Sequence, residues 1–296
     1  MLTPPASTRL LTVVVVYERD LGEVQAWPFL CQRLIAAAGS EKTADDRGFI
    51  LDRVLVYDNS PRPRAQPDES LPGCIYVHDA GNGGTAAAYA CASTIAQETG
   101  SEWLLLLDQD TALPAGFLDA AGAALVASPV RPSALVPWVF HGARVVSPAR
   151  VTGAGTIAPL QYEAPPPTAH ALTAISSASL LHASTLAACL PIPGNLWLDY
   201  VDHWIFSQLR RQGLPVLVFD ASVQHDLSIA TLESLSPRRL ISILNGEAAF
   251  LATLGVKARL VYPFRLVARV LRYAKVRPEL ALHTLGWIGD RFRRRI

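Results

Sequence analysis

Short apolar runs recur along the first half of the chain, and a polar cluster closes each one. Leu10–Val16, Val54–Tyr57 and Trp103–Leu107 are the clearest. Continuous runs of this length, without alternation, are the pattern of strands buried on both faces of a parallel sheet. Residues 23–38 and 85–99 lie between them and can form helices. Strand, helix, strand, helix, strand predicts an α/β sheet with right-handed crossovers. The closing clusters are Tyr17-Glu18-Arg19-Asp20, Asp58-Asn59-Ser60 and Asp108-Gln109-Asp110. Ligands of open α/β sheets bind beyond the carboxyl ends of the strands, so these clusters are expected to meet in one crevice.

Farther along, Pro61–Pro72 holds four prolines and reads as a surface loop. Pro165-Pro166-Pro167 interrupts the chain between strand-like Ala134–Phe140 and Leu172–Leu181. Asn195–Gln212 reads as a helix with its preceding loop, and Gly213 as its cap. Leu214–Phe219 predicts another strand, followed by a turn and His225. No internal repeat or low-complexity tract occurs.

Composition narrows the class. The chain has 296 residues, half of them hydrophobic and 17% charged, too apolar for a disordered protein and long enough for one large domain or two small ones. No stretch reaches the roughly 18 apolar residues of a membrane-spanning helix, and the opening Met-Leu-Thr-Pro-Pro is no signal peptide. Integral membrane, secreted and collagenous classes are therefore not expected. Cys31, Cys74, Cys91 and Cys189 are too far apart for a zinc or disulfide framework and read as buried free thiols of a cytoplasmic protein.

The formal charge of +1 hides a division. Residues 1–256 carry 15 Lys and Arg against 23 Asp and Glu; residues 257–296 carry 11 against 2, Glu279 and Asp290. In the basic tail Arg265, Arg269, Arg272 and Lys275 form a stripe at helical spacing, opposite Leu266, Val267, Val270, Leu271 and Ala274. With Trp287 and Arg291–Arg295 beyond it, such a helix suits an anionic membrane surface, the inner face of the cell membrane; packing on the domain with a solvated charged face is the alternative. Nucleic-acid binding is disfavoured, because the body is acidic and no nucleic-acid motif appears.

Asp108 and Asp110 carry the sharpest chemistry. Two acids two residues apart after a buried strand suit a hard cation, Mg²⁺ or Mn²⁺, held with substrate phosphates; a solvated turn is the plain alternative. Trp103–Thr111 resembles the DxD-type motif of family 2 glycosyltransferases, and among them the bacterial rhamnosyltransferase-like branch. These are inverting enzymes of the GT-A fold, a Rossmann-like mixed sheet flanked by helices, that use nucleotide-sugar donors such as dTDP- or UDP-sugars. The resemblance implies that Asp108 contacts the donor nucleotide and Asp110 the metal. It spans roughly residues 10–230, leaving C-terminal amphipathic helices beyond.

Other segments follow in the family's order. Val13–Tyr17 is similar to the first strand and implies a nucleotide contact by Tyr17. Tyr57-Asp58-Asn59-Ser60 resembles the second strand end, whose Asp contacts the base; the alternative for Asp58 is an Asx turn. Asn82-Gly83-Gly84-Thr85-Ala86-Ala87-Ala88 resembles the segment opening the helix beside the donor, where small residues permit close approach and helix amides favour phosphate. The Asn that follows in the family is replaced by Ala90. Ile175–Leu180 resembles the strand beside the acceptor, with Ser177 as a candidate contact and Ala178 in place of Gly.

Asn195–His203 is similar to the family's Phe-Ile-Asp-Tyr-Val-Asp, whose last acid, here Asp202, is the general base. On a helix Asp199, Asp202 and His203 would share a face; capping of a helix N-terminus is the alternative for the two acids. His225 resembles the family's metal-contacting His. Where the family has an acid and an Arg after the base, this chain has Trp204 and Gln208; Asp199, His203 and Trp204 are acceptor-site candidates.

The expected architecture is a domain over residues 1–255, with a donor half to about 111 and an acceptor half from 112, followed by a basic amphipathic tail over 256–296. The expected activity is metal-dependent transfer of a sugar to a glycan or polyprenyl-linked acceptor. Two alternatives stand beside it. One is a catalytically silent nucleotide-binding subunit, suggested by Trp204, Gln208 and Ala90. The other is a haloacid-dehalogenase-type phosphohydrolase, whose signature needs Thr or Val where Ala112 stands.

Overall fold

Thr8–Val16 (β1) is the strand on which the fold is built, and all of its apolar side chains are buried. The computed structural model describes residues 8–39, 48–162, 168–169, 172–225 and 235–293. The opening Met-Leu-Thr-Pro-Pro, the Pro165–Pro167 interruption, residues 226–234 and the terminal Arg294 and Arg295 lie outside them.

After β1 come α1 (Trp27–Gly39), β2 (Phe49–Asp58), β3 (Cys74–His78), α2 (Gly84–Thr99) and β4 (Trp103–Asp108). Then follow β5 (Thr111–Ala112), α3 (Phe117–Ala127), β6 (Ala134–His141), β7 (Arg144–Ser147), β8 (Ala149–Val151) and β9 (Ile157–Pro159). The remainder is β10 (Thr168–Ala169), β11 (Leu172–Thr173), β12 (Ser179–His182), α4 (Ala183–Ala188), α5 (Val201–Arg211) and β13 (Val216–His225). Three helices end the chain: α6 (Pro237–Ala252), α7 (Val256–Val276) and α8 (Pro278–Arg293).

The main sheet has the order β10-β13-β6-β12-β4-β1-β2-β3, with β5 on β13 and β7 on β6. Strands β4, β1, β2 and β3 are mutually parallel, as the alternation of runs and helices predicts for β1, β2 and β4, whereas β12 runs antiparallel to both of its neighbours. The sheet is therefore mixed. Alternate residues feed two cores: Leu10, Val14, Leu105 and Leu107 face α1 and α3, while Leu11, Val13, Leu104 and Leu106 face α2, α4 and α5. Covering both faces explains why these strands read as unbroken apolar runs.

Four local readings change. First, the sheet gains an edge strand, β3, whose residues are all only half-buried. Second, Leu172–Leu181 is two strands in different sheets, separated at Ala178, whose φ is 61°. Ala178 stands where the resembling family has Gly, and its left-handed backbone costs a residue with a Cβ roughly 1–2 kcal/mol. Third, the last sheet strand extends through His225 without an intervening turn. Fourth, of the four free cysteines only Cys189 is buried.

The tail also differs from its sequence pattern. Arg265 and Arg269 turn inward and bind Glu247 of α6, at 2.9 and 2.7 Å, and Glu247 is only 2% exposed. Leu266 and Tyr273 join Leu240, Leu244, Leu280 and Ala281 in a third core shared by α6, α7 and α8. Of the apolar face read from the sequence, Leu266 is buried whereas Val267 and Leu271 are exposed. The helix is thus rotated relative to the reading in which all four basic residues face outward, because a buried acid on α6 claims two of them. No described helix is long and apolar enough to cross a membrane.

Candidate active site

Register places the strand ends. Val15 pairs with Asp108 and Val16 with Asp58, so β4, β1 and β2 finish level. His225, ending β13, pairs with Thr111 and so comes beside Asp110. On the other side Ala178 N–H donates to Leu106 O, and Ser177 Oγ donates to Asp108 Oδ2 at 2.5 Å. Five chain segments distant in sequence come together at this edge of the sheet.

The ligating atoms of Asp108, Asp110 and His225 all lie within 4.8 Å of one another. His225 Nδ1 is 3.3 Å from Asp110 Oδ1, too poorly aligned for a hydrogen bond, and Oδ1 is buried without a hydrogen-bond partner. A buried carboxylate oxygen without a donor normally has an ion or water to satisfy it. Two carboxylates and an imidazole around such an oxygen fit a hard divalent cation, Mg²⁺ or Mn²⁺. Burial raises the Asp108 carboxyl pKa, and the neighbouring Asp110 and Asp202 add to the rise, while Ser177 and His225 oppose it.

These residues open onto a cleft of about 810 Å³, which Tyr17, Asn82, Gly84, Asp199, Asp202 and His203 also line. Asp202 lies in the first turn of α5, its Oδ1 accepting from His203 N–H at 2.7 Å. His203 Nδ1 lies 2.8 Å from Thr173 Oγ1, and its ring packs against Tyr200 and Phe250.

Asp58 and Trp204 are not brought to the cleft. Asp58 is fully buried; Oδ1 accepts from Ser60 N–H, and Oδ2 from the N–H groups of Arg64 and Ala65 and from the Tyr76 hydroxyl. Burial alone would raise its pKa, but these hydrogen bonds prevail and hold it well below the usual carboxylate range. The Ser60 contact is an Asx turn. Trp204 packs against the core between α5 and the sheet.

Nor do Asp199, Asp202 and His203 share a helix face. Tyr200, in a left-handed conformation with φ 66°, separates Asp199 from α5. Asp199 is buried and accepts from Arg239 Nε at 2.8 Å. Gly84 permits a close approach inside the protein: a Cβ there would run into the Trp197 carbonyl oxygen, and its φ is +69°. Gly84 N–H donates to Asn59 Oδ1 and Ala86 N–H to Trp197 O, so the start of α2 is already engaged by the protein.

Sequence reasoning missed three groups. Gln109 Oε1 accepts from Tyr17 N–H at 2.8 Å, tying the Asp-Gln-Asp turn to β1. Asn59 fastens α2. Arg238 and Arg239 of α6 line the cleft, Arg238 stacking 5.4 Å from the Trp197 ring centroid. Ser236-Pro237 ahead of them, a cap followed by Pro at the first helical position, was the available signal.

Helix α6 reaches the site through Gly246, where a Cβ would stand 2.6 Å from Asp199 O and 2.9 Å from Tyr200 Cβ. Gly246→Ala is expected to lose about 1–3 kcal/mol through this overpacking. Gly286→Ala, in α8 with nothing within 4 Å, is expected to gain roughly 0.5–1 kcal/mol from helix propensity. Denaturant titration of both variants checks the opposite signs.

No protein-family model and no curated protein matches the chain. Among solved structures, GalNAc-T7 with UDP, GalNAc and Mn²⁺ aligns at a TM-score of 0.50 and 10% identity, over 80% of this chain and 47% of that one. The chain thus spans about half the length of that relative. S. aureus TarS residues 1–349 aligns at 0.48 and 13% identity, and its UDP-GlcNAc complex at 0.45 and 15%, each over 96% of this chain and 80% of theirs. With its curled mixed sheet flanked by helices, the chain has the GT-A fold.

Proposed function

We propose that the protein is a metal-dependent inverting glycosyltransferase, of family 2 and its rhamnosyltransferase-like branch, acting in the cytoplasm. The observation that carries this reading is the meeting of Asp108, Asp110 and His225, with a buried oxygen lacking a donor, in the same cleft as Asp202. The donor half (residues 1–111) supplies Tyr17 and Asp108 for the nucleotide; the acceptor half (112–255) supplies Ser177, Asp202 and His225. Asp58, with both oxygens engaged inside the protein, has no part in this assignment.

The acceptor hydroxyl gives its proton to the Asp202 carboxylate as its oxygen forms a bond to the anomeric carbon. The bond from that carbon to the donor phosphate oxygen breaks, and its electron pair leaves with the nucleoside diphosphate. Attack opposite the leaving group inverts the anomeric centre. A Mg²⁺ or Mn²⁺ ion held by Asp110 and His225, beside Asp108, would offset the charge of the departing diphosphate. Arg238, beside the cleft, adds positive charge. GalNAc-T7, of the same fold, binds UDP and Mn²⁺, which supports a UDP- or dTDP-linked donor; the acceptor is a glycan or a polyprenyl-linked saccharide.

Thermal-shift measurements with nucleoside diphosphates test the reading. UDP or dTDP is expected to raise the melting temperature with Mn²⁺ present and much less without it; no response to any nucleotide overturns it. A second reading, nucleotide binding without transfer, is supported by Trp204, which packs into the core, and Gln208, standing where the resembling family has an acid and an Arg after the base. Mn²⁺-dependent binding with no product from any donor and acceptor pair would select it.

A further inference from the structure

Helix α7 presents an outward apolar stripe: Val256 (68% exposed), Leu260 (66%), Phe264 (76%), Val267 (57%) and Leu271 (62%). Their spacing of four, four, three and four residues puts all five on one face. The stripe is not a frayed end, because the opposite face of α7 is anchored through Leu266 and Tyr273 in the third core and through Arg265 and Arg269 on Glu247. A contiguous exposed patch of large apolar side chains on an anchored helix marks a contact surface. Over the 15 steps from Val256 to Leu271, at 1.5 Å each, it runs about 23 Å.

Charge indicates what covers it. Helix α7 contains no acid. At about 100° per residue, Lys257 and Lys275 fall along one edge of the stripe and Arg272 about 60° beyond them, and all three are exposed. Among the described residues none of the three pairs with an acid; Arg272 lies over the Tyr273 ring. A second copy of the chain fits poorly: pairing the stripe with itself about a two-fold axis would bring the same cations together without an acid between them. A surface of anionic headgroups over hydrocarbon answers both features, taking the apolar side chains below the headgroups and the cations at their level.

We propose that α7 lies flat on an anionic lipid surface, inserting Leu260, Phe264, Val267 and Leu271 and holding headgroups with Lys257, Arg272 and Lys275. The face that docks is the apolar one, and the inward Arg265 and Arg269 fix its orientation. This inference is independent of the reaction catalysed.

Co-sedimentation of the full chain with vesicles tests it, comparing phosphatidylglycerol mixed into phosphatidylcholine with phosphatidylcholine alone. Binding is expected to the anionic vesicles, weakening as salt rises. Phe264→Asp is expected to weaken it at least about tenfold, and joint replacement of Lys257, Arg272 and Lys275 by Gln about a hundredfold. Ile35→Asp, an exposed apolar site on α1, is expected to leave binding unchanged. Leu271→Ser serves should Phe264→Asp not fold. Absence of anionic vesicle binding overturns the proposal, as does equal binding by the stripe variants and the wild-type chain. A lipid-free dimer that the stripe variants split, without vesicle binding, assigns the face to a second copy instead.

Discussion

Asp202→Asn is expected to lower turnover about 10²- to 10⁴-fold, the range associated with a positioned general base, while Mn²⁺-dependent nucleotide binding persists. The amide has the shape of the carboxylate and keeps an oxygen for His203 N–H, which Asp202 accepts at 2.7 Å. The start of α5 therefore has no reason to move; what disappears is the capacity to take a proton. Turnover of the variant with a defined donor and acceptor, beside a thermal shift with nucleotide and Mn²⁺, separates the two roles. Wild-type turnover would remove the base from Asp202.

Glu247→Ala is expected to cost about 3 kcal/mol of stability, in the range for breaking a buried ion pair from one side. The carboxylate is 2% exposed and receives Arg265, Arg269 and the Tyr262 hydroxyl. Its removal leaves two guanidinium groups facing a site built for an anion, with Arg269 more deeply enclosed than Arg265 (18% against 32% side-chain exposure). The acid joins α6, which reaches the active site through Gly246, to α7, so loosening is expected to spread in both directions. Denaturant unfolding measures the loss; an unchanged midpoint would mean that the pairs contribute nothing net. Glu247→Gln, which keeps the size and one acceptor, is expected to cost less.

Much of the donor side was legible in the linear pattern. The apolar runs within β1, β2 and β4 reflect a sheet covered on both faces, and their polar closures mark the strand ends that line up at the cleft. Asp108 and Asp110 could be found because two acids immediately after four leucines are conspicuous. Edge strand β3 is less legible: its apolar Cys74–Val77 is short, and no helix separates it from β2 to mark a crossover. The apparent strand across residues 172–181 conceals a reversal at Ala178, a conformation that Ala does not advertise as Gly would. Asp58 shows the opposite failure: its place at a strand end is where a ligand contact is expected, yet the following loop folds back and takes both of its oxygens.

The order of buried runs and intervening helices, together with the acid pair, established by local pattern alone that this is an α/β protein with polar chemistry at its strand ends. Only the tertiary structure decided that His225, 115 residues beyond Asp110, stands 3.3 Å from it, because strand pairing between β5 and β13 has no local signature. It also decided which face of α7 points outward. Hydrophobic periodicity shows that a helix has two faces, but a buried partner elsewhere in the chain, here Glu247 calling in Arg265 and Arg269, determines which of them meets solvent.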